Sequence, residues 1–156
     1  MKSKPFKTWH LVLLAIIILF SFVYKIYSKI FWADAKIQLG GSELSVLMAD
    51  TQERKIKGLG GRKSLGKYDG MIFPFSSTNK HGIMMRDMKF AIDIFWIAEG
   101  KVVDIAPDVQ PEPGKTEAEL IVYWPRVSST LVLEIPAGAM RERGFKIGDS
   151  FKVLEY

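Results

Sequence analysis

Residues 91–106 read AIDIFWIAEGKVVDIA. Two apolar runs, Ala91–Ala98 and Lys101–Ala106, flank Glu99-Gly100, the kind of residue pair that joins two strands in a tight hairpin. In an extended chain alternate side chains point to opposite faces. Ala91, Asp93, Phe95 and Ile97 then share one face, and Ile92, Ile94 and Trp96 the other. Both faces are apolar, so this strand is expected to be covered on both sides, with the Asp93 carboxylate buried inside it.

The same texture extends outward. Short apolar runs separated by turn residues predict strands near 44–49, 71–75, 83–88, 119–124, 129–135 and 150–154, in addition to the two above. One short helix is expected after Asp50, which can cap it with Glu53 closing a capping box, and Gly58 or Gly60 ends it. Ala139–Arg143 offers one further turn, and PDVQPEPG (107–114) reads as a surface loop. The expected body is a single mainly β domain over residues 37–156, a compact antiparallel β-sandwich or barrel-like fold.

Ahead of it, residues 1–36 carry six lysines against Asp34, whereas residues 37–156 carry 16 basic and 16 acidic residues. The whole +5 net charge therefore lies in the N-terminal segment, and the body has no overall pull on nucleic acid. The chain has no cysteine, which excludes disulfides, thiolate metal sites and thiol nucleophiles. Leu11–Tyr24 is an unbroken non-ionic run of 14 residues, about 21 Å as a helix against a hydrocarbon core of about 30 Å. With Lys25 and Lys29 snorkelling, the span extends over residues 9–30 and contacts the lipid bilayer as an uncleaved anchor that holds the body outside the cytoplasm. The alternative is a signal peptide cleaved near Ala35, within the small-x-small pattern Ala33-Asp34-Ala35.

An ordered set of short motifs runs through the body. It comprises Val46-Leu47-Met48-Ala49-Asp50-Thr51, Glu53-Arg54, Gly58-Leu59, Arg62, Gly70-Met71-Ile72-Phe73 and Met85-Arg86. It continues with Ile92-Asp93-Ile94-Phe95, Gly100-Lys101-Val102-Val103, Leu133-Glu134-Ile135-Pro136-Ala137-Gly138 and Gly148-Asp149. This set resembles family 192 of the domains of unknown function, bacterial and archaeal domains often preceded by an export signal, over roughly residues 44 to 153. The resemblance implies a compact β-sandwich-like fold and brings no activity, cofactor or catalytic residue with it. Where the family usually has Gly-Leu-Met-Phe-Arg this chain has Gly58-Leu59-Gly60-Gly61-Arg62. Where it usually has Phe-Trp-Met-basic-Asn, this chain has Ile83-Met84-Met85-Arg86-Asp87.

Polar groups in apolar strands are the remaining clue, because an unpaired buried carboxylate is strongly disfavoured. Alternation groups Arg86 with Met84, Met88 and Phe90, so Arg86 is the expected partner of Asp93, with Arg62 as a second. That places a ligand-binding site at Arg62, Arg86 and Asp93, with Met71 and Trp96 as apolar walls. Guanidinium geometry suits an envelope polysaccharide or a small anionic ligand. The expected function is a non-catalytic binding module. One alternative is a hydrolase that uses Asp93 with Glu134 on envelope glycans, and another is an assembly protein with no ligand. Glu134 falls with Thr130 and Val132 on the more polar face of its strand and reads as solvated. No cofactor or metal is expected. His81 with Met84, Met85 and Met88 has the softness for Cu(I), but methionines at that spacing read first as core.

Overall fold

The computed structural model describes residues 8–30 and 32–156, with side chains for 9–24 and 32–156. The chain divides after Trp32 into two units. The first contains helix α1 (Thr8–Ile30), on which the residues from Trp9 to Tyr24 are exposed. Among the described residues no helix is long and apolar enough to cross a membrane. Lys25 and Lys29, on which the extended span relies, lie outside the described side chains.

The second unit is mainly β. Its elements are β1 (Asp34–Leu39), β2 (Ser42–Met48), α2 (Gln52–Lys57), β3 (Gly70–Asn79), β4 (Ile83–Met84), β5 (Ile92–Ala98) and β6 (Lys101–Val109). There follow β7 (Val122–Tyr123), β8 (Ser129–Pro136), α3 (Ala139–Arg143) and β9 (Phe151–Glu155). Seven strands form one sheet in the order β6-β5-β8-β3-β2-β1-β9, while β4 and β7 pair separately. A bridge between Lys101 and Ser150 draws the two edge strands together, so the sheet curls into a half-barrel. The sandwich alternative is thereby corrected. No second large sheet covers the first among the described residues, and α2, α3 and the loops take that place. The pattern is also not purely antiparallel, because β2 and β3 run parallel and the α2 segment makes the crossover between them.

Glu99 and Gly100 adopt φ of 51° and 69°, the two positive values that a two-residue hairpin turn requires, and Ala98 faces Lys101 across it. β1 begins at Asp34, so Asp34–Lys36 belong to the sheet rather than to the N-terminal segment, and Ala35 is buried opposite Val46. The run at 83–88 is extended only at Ile83–Met84, because the chain turns at Met85–Met88 with Asp87 at φ 55°. The run at 119–124 shortens to Val122–Tyr123 after a 3₁₀ turn at Glu117–Glu119. Helix α2 is capped by Thr51, whose hydroxyl accepts from the Arg54 N–H, and not by Asp50. The Asp50 carboxylate instead accepts from the Arg54 guanidinium at 2.6 Å.

Both faces of the central strands are covered. Leu133 and Ile135 of β8 join Phe95, Ile97, Ile72, Val46 and Ile37 in one core, closed by Phe145. On the opposite face the pairing register sets Phe73, Val132 and Trp96 in one row, and Met71, Glu134 and Ile94 in the next. Residues opposite one another across a ladder share a face. Asp93 pairs with Ile135 and Glu134 with Ile94, so the two carboxylates point to opposite sides of the sheet.

Candidate functional site

Asp93 is 1% exposed and takes no arginine. One carboxylate oxygen accepts from the Asp108 N–H at 2.8 Å and the other from the Met140 N–H at 2.9 Å. The first contact holds β6 at a bulge where Asp108 has φ 52°, and the second tethers the first turn of α3. The expected Arg86–Asp93 pair is corrected. Arg86 leaves the extended chain at the 85–88 turn, so strand alternation does not set its direction. Its guanidinium donates to the Ile56 carbonyl at 2.7 Å, near the C-terminal end of α2, and pairs with Glu117. A cation suits that helix end, whose last carbonyls lack intrahelical donors. Its Nε is buried without a hydrogen-bond partner. Arg62 is half-buried in the loop after α2, and burial lowers its pKa from the usual arginine value. Met71 and Trp96 are fully buried on the Glu134 face, and Trp96 donates its indole N–H to the His81 carbonyl at 2.7 Å. Neither lines an open surface as a ligand wall, because β4 and the loops cover that face.

Glu134 is the unexpected member. It is 5% exposed, against the solvated position that alternation suggested, because the face it shares with Val132 is covered by a second core. Among the described residues its carboxyl has no hydrogen-bond or ion-pair partner. Burial alone raises its pKa to about 8. It opens into a cavity of about 290 Å³ walled by Leu59, Phe73, Met88 and Ile92, with Lys55, Lys57 and Arg86 also lining it. The Lys55 ammonium lies 4.7 Å from the centre of the Phe75 ring, whose other partner is the stacked His81 imidazole at 3.6 Å. The wall at Gly60 is glycine for a steric reason, since a Cβ there would lie 2.8 Å from the Arg86 carbonyl oxygen. Arg86 also borders a second cavity of about 510 Å³ against residues 111–120.

Of the predicted site residues, only Arg86 and Glu134 line the 290 Å³ cavity, and they come from the two different readings. Arg62, Met71, Asp93 and Trp96 are not part of its lining. A carboxylate pair for glycoside hydrolysis needs both groups on one side of a substrate. Asp93 and Glu134 are divided by the sheet itself. Of the soft-ligand cluster, Met85 and Met88 are core, and His81 donates Nε2 to the Ser77 carbonyl at 3.0 Å. Sequence reasoning missed Asp104, which is 3% exposed. Burial works to raise its pKa, but hydrogen bonds from the Arg126 side chain and backbone and from the Ile105 N–H outweigh it and hold the carboxyl below its usual range. The signal was available, since Asp104 interrupts an apolar strand just as Asp93 does.

Residues 35–153 match DUF192, described as an uncharacterized ACR. The chain belongs to this family. No curated protein matches it. Two solved structures resemble the DUF192 body. One is a putative transcription regulator from Sinorhizobium meliloti 1021, with TM-score 0.71 and 23% identity over 80% of this chain and 96% of that one. The other is a protein of unknown function from Novosphingobium aromaticivorans DSM 12444, with TM-score 0.66 and 24% identity over 76% and 84% of the two chains. At such identities the likeness shows the fold alone.

Asp93→Ala leaves two buried N–H groups unpaired and should lower unfolding free energy by about 2–4 kcal/mol, read by urea denaturation. Arg86→Met should cost only about 1 kcal/mol, because no buried charge is orphaned by it. Glu134 titrates near 4.5 when unfolded and near 8 when folded. The folded state therefore holds the extra proton between those values. The contribution of Glu134 to stability is complete below about pH 4.5 and is lost as pH rises through about 8, a swing of a few kcal/mol. Glu134→Gln should remove most of that decline in melting temperature and melt above the parent chain at pH 8–9.

Proposed function

We propose that this chain is a non-catalytic binding module for a small organic anion, held outside the cytoplasm by its N-terminal apolar helix. The observation that carries the binding reading is Glu134, a buried acid without a partner among the described residues that opens into a cavity bordered by Lys55, Lys57 and Arg86. Buried polar groups without partners are costly and are concentrated at functional sites. The basic side chains at the cavity favour an anionic group, and its apolar walls favour a short hydrocarbon or aromatic body. An envelope polymer fits less well, because it would need an open groove and the cavity measures only about 290 Å³. The description of one structural neighbour as a transcription regulator is not carried over, since the body of this chain balances 16 basic against 16 acidic residues.

The tether reading rests on the sequence of residues 9–30, an apolar run with lysines at its C-terminal end that can snorkel. Cleavage near Ala35 would remove the start of β1, where Ala35 is buried. A second reading, an assembly role, is favoured by one surface feature. Ile121, Trp124 and Val127 are 51%, 63% and 46% exposed within seven residues.

The binding test is a melting-temperature panel on the full chain in detergent, using small carboxylates with and without amino groups and inorganic phosphate. A ligand at a hundred times its Kd adds about 2.7 kcal/mol and raises the melting temperature by several degrees. That shift should be at least halved in Arg86→Met. A flat panel would overturn the binding reading. For the tether, alkaline carbonate should leave the full chain in the membrane pellet, and its appearance in the supernatant would overturn the anchor.

A further inference from the structure

We infer that the ligand of this cavity is dipolar, an amine-bearing organic acid whose ammonium group meets Glu134 while its carboxylate meets the basic mouth. The inference rests on the anion-binding reading above and names its ligand class. It comes from an asymmetry of burial between Glu134 and the basic groups that line the cavity with it. At the floor, Glu134 is 95% removed from solvent, and its register neighbours across the sheet are Met71 and Ile94. β3 and β5 contribute only apolar residues to the lining, among them Phe73 and Ile92. The charged groups that line the cavity with Glu134 are Lys55 and Lys57 of α2 and Arg86 from the 85–88 turn. All three are more exposed than Glu134.

Each simpler ligand class leaves one end unanswered. A plain carboxylate satisfies the cations at the mouth but offers Glu134 no positive charge, so the buried acid stays neutral and contributes at most a hydrogen bond. A plain amine would answer Glu134 but must pass and remain near Lys55, Lys57 and Arg86, which repel it. An ammonium group linked to a carboxylate meets both conditions. It supplies the opposite charge within contact distance that favours ionisation of a buried carboxyl. Aromatic walls such as Phe73 are also compatible with a cation. The proton balance is explicit. At neutral pH the protonated Glu134 gives up its proton to solvent as the ammonium group binds, so the complex holds a carboxylate–ammonium pair and one proton is released per ligand bound.

Isothermal titration calorimetry on the full chain in detergent at pH 7, in two buffers of different ionisation enthalpy, reads both affinity and proton count. The probes are 4-aminobutanoate and 6-aminohexanoate, their counterparts butanoate and hexanoate, and hexylamine. At least one amino acid should bind ten-fold or more tightly than its amine-free counterpart, with close to one proton released. Glu134→Gln, which keeps the shape and removes the charge, should erase that ratio and the proton release. Equal binding of amino and amine-free acids without proton release would overturn the dipolar class and leave the anion-binding reading standing. Hexylamine binding as tightly as 6-aminohexanoate would also overturn it. No binding by any of the five would overturn the dipolar class, and binding of none of the acids in the wider panel would take the anion-binding reading with it.

Discussion

Strand β8 is hydrogen-bonded to β3 on one side and β5 on the other, and both faces of this three-stranded centre are packed. The curled sheet puts Leu133 and Ile135 into the core beneath α3 and Phe145, and puts Val132 and Glu134 beneath the α2 crossover and the 82–88 segment. Because side chains alternate with period two, the register that serves one core dictates what enters the other. A one-residue slip of β8 would send Leu133 and Ile135 toward the cavity and Glu134 into the main core. The position of the acid is therefore tied to the packing that holds the sheet together.

Three carboxylates are buried in the strands of this sheet, on β5, β6 and β8, and each is treated differently. Asp104 receives the Arg126 guanidinium and two backbone N–H groups. Asp93 receives two backbone N–H groups and in doing so ties the β6 bulge and α3 to the sheet. Glu134 receives no hydrogen bond or ion pair from any described residue. The first two are structural, since each ties separate segments of chain together. The third has no comparable role, and it is the one that faces an opening. Arg86 stands between the two kinds of role. It steadies the end of α2 through Ile56, ties down the 111–120 loop through Glu117, and still borders the cavity.

The β character, the Glu99-Gly100 hairpin and the burial of Asp93 were legible because they depend on local period and turn chemistry. The parallel β2–β3 pair was not, since nothing in two short apolar runs records which way they will align. The membership of the site was legible only in part. Alternation along 83–88 assumed a strand, and the turn at Met85–Met88 redirected Arg86 away from Asp93. Glu134 read as solvated because Thr130 and Val132 on its face look like a surface. In fact that face is flanked by Phe73 and Trp96 and covered by segments far away in sequence, the α2 crossover and residues 82–88. One clue was present. Where the resemblance led to Met and Phe, this chain has Gly60 and Gly61, and Gly60 lies on the cavity wall.

Glu134 is a buried acid on a cavity wall with no partner among the described residues. The direct measurement is a carbon-13 NMR titration of its side-chain carboxyl in the full chain, assigned by comparison with Glu134→Gln. A midpoint near 8 is expected without ligand. A midpoint in the ordinary glutamate range, near 4.5, would mean that water or a protein group already satisfies the carboxylate, and would contradict the absence of a partner.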